Sequence, residues 1–137
     1  MAYTTLATPR LINVSCKIQV GAASTLPAGF VIGGTASKTV LVRASGPALA
    51  AYGGTGLMPD PQLQLFSGGT QIASNAGWGG DPQLNAAMAA VYAFLYTTPS
   101  SADSALLVTL PPGSYTAQAS SVSGTAGVTL VEVYEVP

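Results

Sequence analysis

The sequence predicts an all-β fold, a jelly-roll-like β-sandwich of about eight strands with one short helix. Glycines and prolines, 16 and 10 in a chain of 137 residues, interrupt the sequence at short intervals. The segments between them are short, rich in β-branched residues, and often alternate apolar with polar side chains. Hydrophobic residues make up 48% of the chain, which is enough to fill the space between two sheets of a single domain.

The predicted strands follow one another along the chain. The first, residues 10–20, has one wholly apolar face that would point to a core: Ile12, Val14, Cys16, Ile18 and Val20. Further strands are predicted over residues 29–33, 38–44, 62–66, 71–74, 103–110, 114–120 and 128–136. The Ser-Gly-Gly-Thr sequence at residues 67–70 is typical of a tight hairpin turn between the fourth and fifth strands.

Residues 82–94 have the spacing of a helix instead. Asp81 and Pro82 are typical of an N-cap and a first helical position. Apolar residues then recur three and four positions apart, at Leu84, Met88, Val91 and Leu95. Residues 45–61, rich in Gly, Pro and Ala, are predicted to form a long loop.

We expect two parts in the chain, an N-terminal extension over residues 1–9 and a β-sandwich domain over residues 10–137. The extension holds a short uncharged stretch with β-branched residues: Ala2, Tyr3, Thr4, Thr5, Leu6, Ala7 and Thr8. Such a stretch could add as a strand to the open sheet edge of a neighbouring molecule, so these seven residues are the assembly candidates.

The charge content excludes several classes of function. Charged residues make up only 7% of the chain, with four Lys and Arg, five Asp and Glu, and no His. Nucleic-acid binding by phosphate neutralisation is therefore not expected. The longest apolar run, residues 86–96, is too short to insert across a bilayer, which needs about 20 residues. A surface with so few charges favours association with other molecules, including copies of the same chain.

No catalytic arrangement or cofactor site is evident in the sequence, and we expect no enzyme activity. Histidine, the usual general base, is absent, and no serine precedes a lysine at the S-x-x-K spacing. Asp60, Asp81 and Asp103 lie at turn, cap and strand-entry positions, where carboxylates have structural roles. The acidic residues are too sparse for a dedicated metal site.

Aromatic residues in or near predicted loops are the ligand candidates. Trp78 lies between glycines, and Tyr92 and Tyr96 follow in the same part of the chain, with Tyr52 in the long loop. If exposed, these rings would form a platform on which sugars stack. The alternative is that Trp78 covers one end of the core beside the helix.

Two charged residues lie within apolar strands. Arg43 is in the middle of the third predicted strand, and Glu132 is in the last. A buried charge is costly unless it is paired. We therefore expect a structural ion pair of Arg43 with Glu132 or with Asp60, and an active-site role for Arg43 is the alternative.

The order of three motifs resembles a module found in secreted bacterial proteins. The motifs are KTVLVRASGPALAAYG at residues 38–53, DPQLQLFSGGTQIASNAGW at residues 60–78, and ALLVTLPPGSYTAQASSVSGTAGVTLVEVYEV at residues 105–136. The module is also loosely similar to pre-peptidase C-terminal domains. The resemblance covers nearly the whole chain. It implies a non-catalytic module. It also implies an extracellular or cell-surface location, with any signal peptide removed or trimmed. Asn-Ala-Gly-Trp replaces a more acidic stretch of the module, which weakens a calcium site.

These observations predict a non-catalytic extracellular structural module that acts through protein–protein contacts. The expected partners are copies of the same chain, self-assembling into a filament or a surface layer. The alternative is an accessory module that binds a glycan or a matrix, alone or as part of a larger secreted protein.

Overall fold

The computed structural model describes residues 13–21 and 24–137. Within these residues there are eight β-strands, one α-helix and one 3-10 helix. The elements in chain order are β1 (Asn13–Val20), β2 (Leu26–Ile32), β3 (Lys38–Ser45), the 3-10 helix (Pro47–Tyr52), β4 (Pro61–Ser67), β5 (Thr70–Asn75), α1 (Pro82–Ala90), β6 (Ser104–Leu110), β7 (Gly113–Ser121) and β8 (Gly127–Glu135). The predicted extension over residues 1–9, with its assembly candidates, lies outside the described residues.

The strands form two four-stranded antiparallel sheets. Sheet 1 has the order β1-β8-β3-β6, and sheet 2 has the order β2-β7-β4-β5. β4 and β5, in the middle of the chain, pair as a hairpin. The strands on either side of this hairpin then pair in order outward along the sequence: β3 with β6, β2 with β7, and β1 with β8. This nested pairing is the strand order of an eight-stranded jelly roll. The predicted fold class is therefore confirmed.

The core between the two sheets is formed by the alternating faces of the strands. Burial alternates along β2 and along most of β4, where Leu63 and Leu65 are completely buried. Opposite them on β7, in register, are the small side chains of Ala119 and Ala117. Large and small residues therefore interdigitate, as dense packing requires. We call this cluster the sandwich core.

The strand β3 is buried on both of its faces. Val40 and Val42 point into the sandwich core, whereas Leu41 and Arg43 point away from it. The outward face of sheet 1 is covered by α1 and the chain segments around it. The resulting second cluster, the outer layer, contains Leu41, Trp78, Leu84, Ala87, Met88, Tyr96, Ala105 and Tyr134.

Three predicted element boundaries are wrong, each for a physical reason. β2 begins at Leu26 rather than at residue 29, because an edge strand tolerates a proline such as Pro27. The predicted loop over residues 45–61 contains the 3-10 helix, whose first residue is Pro47. The helix α1 ends at Ala90 rather than at residue 94.

The early end of α1 is a Schellman motif with an unusual residue in it. The Tyr92 N–H donates to Ala89 O at 3.2 Å, and the Ala93 N–H donates to Met88 O at 3.0 Å. This pattern requires a left-handed residue at position 92, where glycine is usual. Tyr92 occupies it with φ of 60°. The sequence carries no glycine there, so the helix end was not recognisable.

Candidate functional site

Arg43 is the centre of the polar contacts in the outer layer. Its side chain is completely buried, and its Nε donates to Glu132 Oε1 at 3.1 Å. Nη2 reaches the same carboxylate oxygen, and Nη1 donates to the Phe94 carbonyl at 2.6 Å. Arg43 and Glu132 are direct neighbours in the register of β3 and β8. The Arg43 partner is therefore Glu132 and not Asp60.

Aromatic rings surround the Arg43 guanidinium. Its central carbon lies 4.1 Å from the Phe94 ring centroid, 4.8 Å from that of Tyr96 and 5.8 Å from that of Tyr134. Such cation–π contacts partly replace the water that a buried cation loses. The arginine is thus enclosed, and none of its surface is available to a substrate.

Tyr134 completes the arginine–glutamate pair. Its hydroxyl donates to Glu132 Oε2, so both oxygens of the carboxylate are hydrogen-bonded. Burial, the hydrogen bond to Glu132 and the charge of Glu132 raise the pKa of Tyr134 to about 12. Each of these causes opposes loss of the phenolic proton. Tyr134 therefore keeps its proton, and its hydrogen bond to Glu132, to a higher pH than an exposed tyrosine would.

Asp103 joins the 3-10 helix to the segment that precedes β6. Its carboxylate accepts hydrogen bonds from Gly46 N at 2.8 Å and from Ala48 N at 3.1 Å. The Ser101 hydroxyl donates to it at 2.7 Å. Asp103 thus satisfies the free N–H groups at the start of the 3-10 helix from a distant point in the chain. Sequence patterns alone could not reveal such a long-range cap.

Two of the three aromatic ligand candidates, Trp78 and Tyr96, are buried. Trp78 is 5% exposed and Tyr96 is 3% exposed, and their rings contact each other edge to face with centroids 5.4 Å apart. The Trp78 Nε1 donates to Thr98 O at 3.1 Å and to Ser101 Oγ at 3.2 Å. Both rings are packing groups of the outer layer, whereas Tyr92 is 96% exposed and Tyr52 is 65% exposed. Trp78 therefore packs beside α1 in the outer layer, and the three rings do not share one exposed surface.

A cleft lies between the 3-10 helix and the segment that follows α1. Its volume is about 380 Å³, and Tyr52 and Leu95 are the exposed large hydrophobics in its wall. The other lining residues are Pro47, Ala48, Ala51, Thr97, Thr98, Ser101 and Asp103. The Tyr52 ring packs on Phe94 with centroids 5.1 Å apart, which holds the ring at the rim. We call this site the Tyr52 cleft.

The outer edge of β6 forms a second open site. A groove of about 240 Å³ runs beside it, with walls from the loop after β5 and from the start of α1. Asn75 Oδ1 accepts from Ala105 N at 3.0 Å, so the Ala105 N–H points away from β3. Because backbone groups alternate in direction along a strand, those of Leu107 and Thr109 also point outward. Within the described residues, none of these outward groups of Leu107 and Thr109 has a backbone partner.

The other three sheet edges of the described structure carry features that hinder pairing. The exposed Lys17 lies on β1, and Pro27 interrupts the hydrogen-bonding capacity of β2. A β-bulge lies between Leu65 and Phe66 of β4, so Ile72 of β5 has no residue opposite it in the register of the two strands. Charges, prolines and bulges are the devices that protect edges from association. The edge of β6 after Ala105 has none of them.

The carboxylates of Asp60, Asp81, Asp103 and Glu132 have structural hydrogen bonds. Besides Asp103 and Glu132, Asp81 caps α1 by accepting from Gln83 N at 2.8 Å. Asp60 accepts from the Ser121 hydroxyl and from Ser123 N. Burial acts to raise the pKa of Asp60, but these hydrogen bonds outweigh it and hold the pKa below its usual value. In the part of the chain that the structure describes, no three metal-ligating side chains come together.

Comparisons with known proteins place the fold. No family model matches the chain, and no curated protein matches it. The pre-peptidase C-terminal domain of a collagenase from Bacillus anthracis is similar over 89% of both chains, with a TM-score of 0.54 and 12% identity. A family 35 carbohydrate-binding module from Clostridium thermocellum aligns over 86% of this chain and 97% of its own, with a TM-score of 0.37 and 9% identity.

The first of these comparisons confirms the resemblance that the sequence motifs indicated. The chain has the sandwich fold of a pre-peptidase C-terminal domain. At 12% identity the likeness extends to the fold alone. In the described residues, no helix is long and apolar enough to cross a membrane.

Proposed function

We propose that the protein is a non-catalytic structural module that acts through protein–protein contacts and assembles with copies of itself by strand addition. The observation that carries this proposal is the unprotected outer edge of β6. Leu106, Leu107 and Val108 on this strand are only partly buried, although the strand contains no charged residue. An open apolar strand edge is a template for pairing with another chain.

The proposed occupant of this edge is the N-terminal segment Ala2–Thr8 of a second copy. The seven-residue segment is long enough to pair with the open part of β6, residues 106–110, and neither contains a charged residue. In added strands, backbone hydrogen bonds supply affinity and the alternating side chains supply specificity. The outward N–H and C=O groups of Leu107 and Thr109 would form these backbone hydrogen bonds.

The register across sheet 1 favours a chain of molecules over a closed pair. Asn13, the first residue of β1, is aligned through Tyr134 and Leu41 with Leu107 of β6. The donor segment precedes one edge strand of sheet 1, and the acceptor is the opposite edge strand. A contact between two different surfaces is head-to-tail, and it extends into a filament unless rotation closes it into a ring.

The roles of the polar residues support a non-catalytic function. Arg43 and Glu132 are enclosed, and Asp60, Asp81 and Asp103 satisfy backbone or hydroxyl groups of the fold. The proposal keeps the extracellular or cell-surface location that the sequence resemblance implies, which fractionation of the producing cells would test. The alternative of glycan binding on Trp78, Tyr92 and Tyr96 is not favoured in that form, because two of the three rings are buried.

The test measures the assembly state by light scattering and negative-stain imaging over a range of concentrations. We expect regular polymers of the full chain and monomers after deletion of residues 1–9. Thr109→Lys places a charge on the acceptor edge, and we expect it to raise the concentration needed for assembly at least tenfold. Thr70→Lys, the matched control, adds the same charge to the bulged edge of sheet 2 and should leave assembly unchanged.

Two results would contradict the proposal. A full chain that stays monomeric at every concentration would exclude self-assembly. Polymers that persist after the deletion would show that another surface holds them together. A fluorescent peptide of residues 2–8 should also bind the shortened chain, and lose binding in the Thr109→Lys variant.

A further inference from the structure

Tyr92 is held in a conformation that its side chain disfavours. Its φ of 60° makes it the only non-glycine residue with positive φ among residues 13–21 and 24–137. A residue with a Cβ is strained in the left-handed region, and such strain often accompanies function. At this site the side chain is also 96% exposed, so packing does not explain the choice of tyrosine over glycine.

Several exposed hydrophobic side chains belong to the two segments around the Tyr52 cleft, residues 47–52 and 92–103. Tyr52, Tyr92 and Leu95 are three of the six exposed large hydrophobics in the described structure. Tyr52 contacts Phe94, which lies between Tyr92 and Leu95 in the chain. A local concentration of exposed apolar groups is typical of a binding surface.

The Tyr52 cleft adds hydroxyl groups to these apolar ones. Thr97 and Thr98 line it and are exposed, and their side chains form no hydrogen bond to the described residues. Its volume of about 380 Å³ lies in the range of small-molecule sites. Aromatic and aliphatic walls beside free hydroxyls match a ligand with apolar C–H faces and many hydroxyls.

The charges around the cleft disfavour an anionic ligand. The segments that build it, residues 47–52 and 92–103, contain no lysine and no arginine. Arg43 is enclosed beneath them, and the one charged residue of the lining is Asp103. A carboxylate repels phosphates and acidic sugars, whereas it leaves neutral ligands unaffected.

We infer that the Tyr52 cleft, together with Tyr92, which precedes the cleft residue Leu95 by three positions in the chain, forms a binding site for a neutral saccharide. One sugar unit lies in the cleft against Tyr52 and Leu95, with its hydroxyls bonded to Thr97 and Thr98. A neighbouring unit stacks on Tyr92. This function is separate from strand addition, because the site lies on the outer layer and includes no residue of the β6 edge.

The test is titration of the full chain with neutral hexasaccharides of glucose, xylose, mannose and N-acetylglucosamine, followed by calorimetry. We expect one of them to bind. Tyr92→Gly should weaken that binding at least tenfold without loss of thermal stability, because glycine suits the left-handed position better. Thr97→Val, which keeps the side-chain shape, should weaken it severalfold. Ile72→Ala, a control on the exposed face of β5, should leave it unchanged.

Three outcomes would overturn the inference. No binding of any of the four saccharides would exclude this ligand class. Equal binding by Tyr92→Gly and by the original chain would place the saccharide elsewhere. Binding of a proline-rich peptide in place of saccharides would show that the aromatic surface recognises a polypeptide, since such grooves also accept that conformation.

Discussion

The two hydrophobic layers of the protein are built on different physical principles. The sandwich core contains aliphatic and aromatic side chains from strands of both sheets, and none of the described residues in it is charged. The outer layer also contains an enclosed arginine, its glutamate partner and a buried aspartate. The first layer requires only correct alternation and volume, whereas the second requires particular partners at particular distances.

The partners in the outer layer are also far apart in sequence. Arg43 contacts Phe94 and Glu132, which lie 51 and 89 positions further along the chain. Asp103 caps a helix that begins 56 residues earlier, at Pro47. These contacts fix the segment after α1 and thus the walls of the Tyr52 cleft. The polar groups of the outer layer therefore position a surface as well as stabilise the fold.

The largest expected effect is the removal of one charge from the outer layer. Glu132→Gln leaves the buried Arg43 without a counter-charge, and we expect a loss of about 3–5 kcal/mol in the free energy of unfolding. Chemical denaturation would measure it. The double variant Arg43→Met with Glu132→Leu should recover most of this loss, because no charge then remains buried. A double variant as unstable as the single one would show that packing, not charge pairing, dominates.

In the sandwich core we expect the loss in the free energy of unfolding to depend only on the side-chain volume that a substitution removes. Leu63→Ala removes part of a completely buried side chain that faces Ala119, and should cost about 2–5 kcal/mol. Leu63→Met, which nearly conserves the volume, should cost less than about 1.5 kcal/mol by the same denaturation assay. Similar costs for the two variants would contradict the view that this layer depends on volume.

The outer layer should also respond to alkaline pH. The pKa of Tyr134 is raised to about 12, while an unfolded tyrosine has a pKa near 10. Above pH 10 the native state therefore retains a proton that the unfolded state loses. The contribution of Tyr134 to the free energy of unfolding is complete below pH 10. It falls by about 1.4 kcal/mol per pH unit between pH 10 and 12. Tyr134→Phe should reduce the slope of unfolding free energy against pH in that window, and an unchanged slope would contradict the assignment.

The smallest expected effect is a gain in stability. Tyr92→Gly removes the strain of a left-handed tyrosine and should stabilise the protein by about 1 kcal/mol, measured as a higher melting temperature. Tyr92→Ala, the control, keeps a Cβ and should gain nothing from the backbone. A loss of stability in the glycine variant would show that the tyrosine ring makes packing contacts that outweigh its strain.

The difference between the layers also explains which features the sequence could predict. In β4, Leu63 and Leu65 alternate with polar residues, and β1 shows the same alternation of apolar and polar residues. This pattern predicts strands because it depends on local periodicity alone. The burial of Trp78 and Tyr96 depends on contacts with Ser45, Thr98 and Ser101, which no local pattern reveals. The same reason applies to the 3-10 helix, whose cap comes from Asp103.

The Tyr52 cleft and the β6 edge could be predicted only in part. The aromatic residues of the sequence lie in the segments around the Tyr52 cleft, but their exposure depends on where α1 ends. That end was misplaced because Tyr92 stands where a glycine would have marked it. The β6 edge follows from strand order, which is a property of the whole jelly roll.

The position of β8 has a consequence for how the chain folds. β8 is the last strand in sequence, yet it lies between β1 and β3 and supplies Glu132 to the arginine. Sheet 1 therefore remains incomplete until residues 127–135 have left the ribosome, and its long-range pairings predict slow folding. Arg43 and the unpaired strands stay accessible to solvent and to other chains during that interval. The time before β8 docks is thus the stage at which mispairing and aggregation compete most strongly with correct folding.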